Sequence, residues 1–270
     1  MKYIDCQKHA NEILDEVKQI KHDQYFAIVS VGDDPASQSY IKGKIKDCEY
    51  CGIPYVHKKI NLDILYPELL LEDTLKSLAA DENVSSIILQ LPLPTGWDVE
   101  HFLKLIPAHK DVDGLTDGSK FSPCTPEGIV YVLKKELGSL EGKTALIIGR
   151  GKLVGRPLFD LLLNENCTVT MAHSKTQNLL SMLLLGGYDI VIAAVGSPKL
   201  VNLQLLNRKT KIVIDTGVNK VDGKLCGDCY KFDDESGDVL VTPVPKGIGL
   251  MTRAMLMRHI AEINKKEGKQ

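Results

Sequence analysis

The chain has 270 residues, with 33 Lys and Arg against 35 Asp and Glu, and a formal net charge of −2. This near balance leaves no strong field to attract nucleic acid or an anionic membrane surface, so neither is expected as a partner. The composition, 44% hydrophobic and 25% charged, is that of a folded globular protein, and the length suggests two domains. No apolar run approaches the ~18 residues of a membrane span, and residues 1–9 carry no signal-peptide core. A cytoplasmic protein is expected.

The seven cysteines give an odd count which, without a secretion signal, predicts reduced thiols rather than a disulfide framework. Two pairs have Cys-x-x-Cys spacing: Cys48 with Cys51, and Cys226 with Cys229. Zinc ribbons usually separate such pairs by ~15–20 residues, far less than the separation in this chain. We therefore expect no metal site, and interpret the cysteines as small apolar residues.

The first half of the chain alternates helical and strand patterns. Apolar spacing predicts helices over 5–21, 36–50 and 67–80, and strands over 26–31, 55–60 and 86–90. Strands separated by helices indicate βαβ units and a mainly parallel sheet. Ligands of such sheets bind beyond the carboxyl ends of the strands, which selects three segments, 32–40, 90–94 and 111–114, as candidate site loops.

The chain changes character at Thr125-Pro126-Glu127, which predicts a capped helix start and a domain crossover. Further strands are expected over 144–148, 168–172, 189–194 and 211–215, and a final helix over 252–266. The predicted fold is two α/β domains with mainly parallel sheets, the second of them Rossmann-like. The expected boundaries are 1–121 with 252–270 for one domain, and 122–251 for the other.

A glycine-rich turn follows the strand at 144–148 directly. Gly149, Gly151 and Gly155 form a G-x-G-x-x-x-G pattern, one residue longer than the common dinucleotide fingerprint. Gly149 and Gly151 would let the backbone approach a pyrophosphate, and Gly155 would let helix and strand pack closely. The helix N-terminus would supply N–H groups to the anion. The alternative is an ordinary glycine-rich turn of an α/β sheet.

The residues after the next strand favour one dinucleotide over the other. An NAD site would place an Asp or Glu there for the ribose diol, whereas this chain has His173-Ser174-Lys175-Thr176. Arg150 of the glycine turn can reach the same region. Cations and hydroxyls suit a 2′-phosphate, so NADP is the predicted cofactor. In the alternative interpretation, His173 and Lys175 are solvated loop residues.

Tyr40 and Lys44 have the Tyr-x-x-x-Lys spacing, which places phenol and ammonium on one helix face. Short-chain dehydrogenases use such a pair, but there the glycine turn precedes it. In this chain the order is reversed, which argues against that class. A surface helix pair is the plain alternative.

Taken together, the motifs resemble those of the methylenetetrahydrofolate dehydrogenase/methenyltetrahydrofolate cyclohydrolase family over nearly the whole chain. In the first half the matching segments are 31–40 with Lys44 and Gly52-Ile53, Gln90-Leu91-Pro92-Leu93-Pro94, Lys110-Asp111-Val112-Asp113-Gly114 and Pro123-Cys124-Thr125-Pro126. In the second half they are Val154-Gly155-Arg156-Pro157, His173-Ser174-Lys175-Thr176, Ile214-Asp215-Thr216-Gly217-Val218-Asn219 and Thr242-Pro243-Val244-Pro245.

The resemblance implies a folate site in a cleft between two domains. Tyr40 would stack on the aminobenzoate ring, Lys44 would be the central catalytic group with Gln90 tuning it, and Asp113 would hold the pterin. NADP+ would take hydride from the methylene bridge of 5,10-methylenetetrahydrofolate, and water would then open the methenyl product to 10-formyltetrahydrofolate. The cofactor-binding residues implied are Gly149, Arg150, Gly151, Gly155, Ser174, Lys175 and Val218; Gly249 and Leu250 would join the substrate site. A homodimer acting in one-carbon metabolism and purine biosynthesis is implied as well.

Three positions depart from the family pattern. Lys246 stands where the family usually has glycine, Leu250 where it has proline, and Gly151 where it often has serine. The changes at 246 and 250 fall in a loop expected to touch folate, and leave room for altered affinity or balance between two activities. The rival hypotheses are another NADP-dependent dehydrogenase of two α/β domains, and a dinucleotide-binding protein without folate turnover.

Overall fold

Two parallel sheets organise the chain, each in its own unit. A computed structural model describes residues 1–231 and 238–267. Chain contacts divide it into a three-stranded unit, Asn11–Cys124 with the residues from Arg253 onward, and a six-stranded unit, Met1–Ala10 with Thr125–Thr252. The predicted class, two α/β units with mainly parallel sheets, is confirmed.

The three-stranded sheet has the order β3-β2-β4, and both pairings are parallel. Its strands are β2 (Tyr25–Val31), β3 (Tyr55–Ile60) and β4 (Val84–Leu89); helices α2 (Pro35–Cys51), α3 (Pro67–Ala80) and α4 (Val99–Leu103) alternate with them or follow. The helix α3 shows why the pattern folds this way: Leu71, Leu75 and Leu78 recur on one face and are buried in the cluster that covers the sheet. Burying such a stripe supplies most of the stability of a helix of this length.

Local signals fix the ends of α2, the helix that carries the predicted catalytic pair. The carboxylate of Asp34 accepts a 2.7 Å hydrogen bond from the N–H of Ser37, and Pro35 occupies the first turn. Gly52 ends the helix in the left-handed conformation, with φ of 72°. The helix therefore starts and stops where the sequence predicts, just beyond the carboxyl end of β2.

The six-stranded sheet has the order β1-β13-β9-β7-β5-β6 and is parallel throughout. Its strands are β1 (Lys2–Tyr3), β5 (Thr144–Ile148), β6 (Thr168–Ala172), β7 (Ile190–Ala193), β9 (Ile212–Asp215) and β13 (Leu240–Val241). The helices that alternate with them are α5 (Cys124–Leu137), α6 (Gly155–Asn164) and α7 (Leu179–Leu185). Since β5 has β6 on one side and β7 on the other, its carboxyl end is a topological switch point, where such sheets bind ligands.

Several short elements have no predicted counterpart. Besides β1, β13, α4 and α7, they include the parallel pair β8 (Val201–Asn202) and β12 (Cys229–Tyr230), the antiparallel hairpin β10 (Asn219–Val221) and β11 (Lys224–Cys226), and a 3-10 turn at Leu203–Leu205. Two or three residues show no periodicity, so sequence patterns do not reveal them.

Both chain ends differ from the expected boundaries. The first ten residues lie with the six-stranded unit rather than with the three-stranded one, because β1 extends the sheet edge beside β13. The helix α1 (Cys6–Lys18) follows. The last helix, α8 (Ile248–Glu267), begins four residues before the predicted start, and from Arg253 onward it lies with the three-stranded unit. Over the residues described, none of the helices combines the length and the apolar character that a bilayer crossing requires.

Candidate active site and dinucleotide site

Lys44 is the centre of the polar cluster beyond the three-stranded sheet. It is a buried lysine, 7% exposed, on the same face of α2 as Tyr40. Its ammonium donates a 2.9 Å hydrogen bond to Oε1 of Gln90, the residue directly after β4. The Nε2 of Gln90 donates to the carbonyl of Leu91 at 2.7 Å, which fixes the amide with its oxygen toward Lys44. The helix α2, which begins in the candidate segment 32–40, is thus joined to the candidate segment 90–94 through one side-chain pair.

The third candidate loop is built by Asp111, not by Asp113. The carboxylate of Asp111 accepts backbone N–H bonds of 2.8–3.1 Å from Asp113, Gly114, Leu115 and Thr116. Lys110 is also structural, because its buried ammonium donates to the carbonyls of Leu78 and Asp81 at the end of α3. The loop held by Asp111 and Lys110 carries Asp113, whose charge acts on Lys44.

The charges of Lys44 and Asp113 act on each other in a site of low polarity. Burial lowers the pKa of Lys44, and the nearby Asp113 carboxylate opposes that shift. Burial raises the pKa of Asp113, and Lys44 opposes it. Both shifts bring a proton transfer closer to neutral pH, which is what a general acid or base needs.

A cysteine and a histidine to which the sequence assigns no role support the Asp113 loop. The thiol of Cys124 lies 3.3 Å from the carbonyl of Val112 and hydrogen-bonds to Asp113. His259 is buried, with Nδ1 2.8 Å from the same carbonyl and its ring stacked on Phe121 at 4.1 Å between centroids. No spacing in the sequence connects these residues, since His259 comes from α8.

Two glycines of the turn after β5 make close backbone contacts, and the contact at Gly155 is the one that the pattern predicts within the chain. Gly149 has φ of 119°, and a Cβ there would overlap the carbonyl of Ala194 at the end of the neighbouring strand. A Cβ on Gly155 would overlap the carbonyl of Gly149, so the helix packs directly on the turn. Gly151 has open space around its Cβ position, so no contact among the described residues requires glycine there.

A pocket of about 620 Å³ opens at this turn. Its lining includes the predicted residues Gly149, Arg150, Gly151 and Ser174, together with other residues from the ends of β5, β6 and β7 (Ile148, His173, Thr176, Leu179, Ala194, Val195, Ser197 and Leu200). The start of α6 has no side-chain cap, but the N–H of Arg156 donates to the carbonyl of Gly151 at 3.1 Å and Pro157 carries no N–H, so its first turn keeps few backbone donors for an anion. A cation and hydroxyls around a cleft of this size fit a dinucleotide phosphate. Lys175 and Val218 are exposed outside this lining, in the loops after β6 and β9.

Two buried carboxylates to which the sequence assigns no role, Asp215 and Asp228, hold the loops of this pocket. Asp228 is fully buried and accepts hydrogen bonds from the N–H groups of Val195 and Gly196, at 2.7 and 2.9 Å, and from Asn219 at 2.8 Å. Asp215 accepts from the N–H of Asp228 at 3.0 Å. The wall of the pocket at Val195 is therefore fixed by a residue from a short unpredicted segment.

The cysteine pairs lie in different surroundings. Cys48 and Cys51 are buried in α2, whereas Cys226 and Cys229 are half-buried on short strands. Within residues 1–231 and 238–267, no group of three or more His, Cys, Asp and Glu side chains is arranged to hold a metal ion.

Comparison with known proteins relates both sites to one family. Residues 4–113 match the catalytic domain of tetrahydrofolate dehydrogenase/cyclohydrolase, and residues 123–268 match its NAD(P)-binding domain. The chain belongs to this family. The bifunctional protein FolD of Bacillus cereus is 40% identical, with 97% of this chain and 95% of that protein covered.

Solved structures of the family share the fold over the whole length. The bifunctional FolD of Campylobacter jejuni has a TM-score of 0.87 at 34% identity, covering 99% of both chains. The FolD of Trypanosoma brucei, in complex with NADP and an inhibitor, has a TM-score of 0.87 at 26% identity, covering 99% of this chain and 98% of that one. The sequence-based family assignment is confirmed.

Family membership assigns the two sites to different domains. Tyr40, Lys44, Gln90 and Asp113 all lie in the part that matches the catalytic domain, and the glycine turn lies in the part that matches the NAD(P)-binding domain. Gly249 and Leu250 lie in the first turn of α8. Lys246, just before α8, has φ of 71°, the conformation that favours glycine.

Proposed function

We propose that this family member oxidises 5,10-methylenetetrahydrofolate with NADP+ and hydrolyses the methenyl product to 10-formyltetrahydrofolate. The observation that carries the proposal is the buried Lys44, hydrogen-bonded to Gln90 and facing the charge of Asp113, in the domain that matches the family's catalytic domain. A buried lysine with a lowered pKa can serve proton transfer, whereas the structural Lys110 gives its ammonium to two backbone carbonyls.

Three side chains hold the folate in this proposal. Tyr40 is partly exposed on the face of α2 that carries Lys44, and offers its ring to the aminobenzoate group. Asp113 accepts hydrogen bonds from the donor edge of the pterin. Gln90, locked by Leu91, keeps the nitrogen of Lys44 in one place while substrate binds.

The hydrolytic step uses Lys44 as the proton carrier. Water forms a bond to the bridging carbon of the methenyl cation, the bond from that carbon to N5 breaks, and one proton leaves. Neutral Lys44 takes a proton from the attacking water and returns it to N5, and the net proton passes to solvent. Burial lowers the pKa of Lys44, which favours the neutral amine that this step uses.

The dinucleotide site selects NADP over NAD in this proposal. Bound NADP+ supplies a hydride acceptor for the methylene carbon of the folate. Gly149, Gly151 and Gly155 would admit the pyrophosphate near the start of α6, and Val218, in the loop after β9, would contact the dinucleotide. Arg150, Ser174 and Lys175 bind the 2′-phosphate, since no acidic side chain follows β6 to bind a free ribose diol.

The experiment is a pair of absorbance assays on the purified chain. With methylenetetrahydrofolate, the NADPH band should grow with NADP+ and much more slowly with NAD+. With methenyltetrahydrofolate alone, the methenyl band should decay faster than in buffer. Absence of both activities would refute the proposal. In that case, NADPH formation from other substrates would indicate a different dehydrogenase. Dinucleotide binding without any turnover would indicate a non-catalytic protein.

The proposal also covers the partners, location and oligomeric state of the enzyme. Tetrahydrofolate derivatives are its small-molecule partners, and it acts in the cytoplasm as a homodimer, as the family resemblance implies. Light scattering on the purified chain tests the dimer, and a mass of one chain would contradict it.

A further inference from the structure

Arg253 lies across α2 beside Lys44. The space that a side chain on Gly43 would occupy is filled by the guanidinium of Arg253, so that a Cβ there would overlap it. One turn further along, the carboxylate of Asp47 lies 3.0 Å from Nε of Arg253. Tyr40, Gly43, Lys44 and Asp47 follow the helical spacing that places side chains on one face. A second cation is therefore held against the turn of α2 that carries the catalytic lysine.

This ion pair is not a surface pair. The side chains of Arg253 and Asp47 are 22% and 9% exposed, and burial raises the pKa of Asp47 while Arg253 opposes that rise. Neither Nε of Arg253 nor Oδ2 of Asp47 makes a well-aligned hydrogen bond, so charge rather than geometry holds them. Buried pairs of this kind add little stability compared with apolar residues, because desolvation offsets their attraction. Stability alone does not explain the pair.

Resting on the function proposed above, we propose that Arg253 is a positioning residue for the cyclohydrolase step. Its charge, admitted by Gly43 and partly neutralised by Asp47, sets how readily Lys44 gives up its proton. An uncompensated cation near Lys44 disfavours the ammonium form, and Asp47 limits that effect.

The other groups that face Lys44 act in the opposite direction to Arg253. Asp113 from the loop after α4, Cys124 at the start of α5 and Cys48 of α2 favour the ammonium form of Lys44. Burial and Arg253 lower the pKa of Lys44. Arg253 thus opposes the effect of the nearby acid and thiols on Lys44, and its removal should raise the pKa of Lys44.

The test compares kcat for methenyltetrahydrofolate hydrolysis against pH, with the uncatalysed rate subtracted at each pH. Arg253→Met should move the acid limb to higher pH by about 0.5–1 pH unit, because Lys44 holds its proton longer. Asp47→Asn should move the limb to lower pH, because the charge of Arg253 is no longer neutralised. Arg253→Lys keeps the charge and should leave the limb near that of the unmodified enzyme.

Gly43→Ala provides a variant that keeps every charge. Alanine favours the helix interior over glycine, so the fold is retained, and the new methyl displaces the flexible end of Arg253. Its acid limb should move to higher pH, as in Arg253→Met.

The outcomes separate this inference from the proposed function. Opposite shifts in Arg253→Met and Asp47→Asn support it. Shifts in the same direction, lower kcat without any shift, or an unmodified enzyme without an acid limb would overturn it while the activity itself stands. If the unmodified chain does not hydrolyse methenyltetrahydrofolate at all, the proposed function fails first.

Discussion

Gln90 accepts a 2.9 Å hydrogen bond from Lys44, and the same amide is anchored to the carbonyl of Leu91 at 2.7 Å. A neutral acceptor of this kind orients a lysine without adding a negative charge. A carboxylate in its place would stabilise the ammonium form and hold the proton on Lys44. The choice of glutamine at the end of β4 therefore suits a lysine that must exchange its proton.

Lys44→Met should abolish cyclohydrolase activity and retain folate binding with part of the dehydrogenase activity. Methionine fills similar apolar space but carries no proton, and general acid–base catalysis contributes about 10²–10⁴-fold. Hydride transfer depends mainly on orientation, so it should lose less. The check is kcat for each reaction, with folate binding measured separately. Hydrolysis of methenyltetrahydrofolate at near the unmodified rate would refute the role of Lys44.

Sequence patterns predict the sheets and the main helices because these elements bury long apolar stripes. The helix α3 and the strands β3 and β5 have the bounds that the sequence predicts, since Pro67, the alternation of helix and strand, and Gly149 mark their ends. The candidate site loops could be located too, because parallel strands place their carboxyl ends at one edge.

The supporting residues could not be predicted, because their partners lie far away in the sequence and leave no periodic pattern in it. Asp228 reaches Val195 across 33 positions, and His259 reaches Val112 across 147. A buried carboxylate that accepts backbone N–H groups looks like any aspartate in a loop. From the sequence alone, Gly43 is a residue that destabilises a helix; the structure shows that Arg253 occupies the space of a side chain there.

Arg150→Ala should raise KM for NADP+ by about 10- to 100-fold, as expected for a charge-assisted hydrogen bond of about 1.5–3 kcal/mol, and raise KM for NAD+ far less. Arg150 is exposed at the pocket that Ser174 and Thr176 also line. Arg208→Ala is the matched control, an exposed arginine of the same unit outside that lining. Equal losses with both cofactors would show that Arg150 does not bind the 2′-phosphate.

His22 should make stability fall as the solution is acidified. It is buried, with Nε2 3.3 Å from the carbonyl of Val17 and Nδ1 2.8 Å from Asn264, and burial lowers its pKa below the ordinary 6.5. As pH falls through about 6.5, His22 binds a proton in the unfolded chain but not yet in the native chain. The free energy of unfolding therefore decreases.

The measurement is the thermal midpoint between about pH 5 and pH 7.5. His22→Gln should lower the midpoint at neutral pH yet flatten its decline below about pH 6.5. His109→Gln, at an exposed position, serves as the control and should leave the slope unchanged. An unaltered slope in His22→Gln would mean that other groups cause the acid sensitivity.

Lys246→Gly should stabilise the chain by about 0.5–1 kcal/mol. Lys246 has φ of 71°, and a left-handed conformation costs a non-glycine residue about 1–2 kcal/mol, which glycine avoids. Glycine also raises the entropy of the unfolded chain, which offsets about 0.4–1 kcal/mol of that gain. Differential scanning calorimetry should show a rise of about 1–3 °C. Lys199→Gly, at an exposed residue with φ of 55°, should give a similar gain. A lower Tm in Lys246→Gly would mean that the lysine side chain makes a stabilising contact that outweighs the strain.

Leu250→Pro isolates the second departure from the family pattern. The N–H of Leu250 donates a 3.0 Å hydrogen bond to the carbonyl of Gly247, which proline would remove at a cost of about 0.5–1.5 kcal/mol. Proline would also rigidify the first turn of α8, a gain of about 0.4–1 kcal/mol, so its net effect on Tm should be small. The effect on substrate should differ, because a pre-ordered loop binds without first losing entropy. The double variant Lys246→Gly with Leu250→Pro should therefore lower KM for methylenetetrahydrofolate by about two- to five-fold, while Lys199→Gly leaves it unchanged. An unchanged KM in the double variant would show that the loop has been remodelled out of contact with folate, and would remove Gly249 and Leu250 from the proposed substrate site.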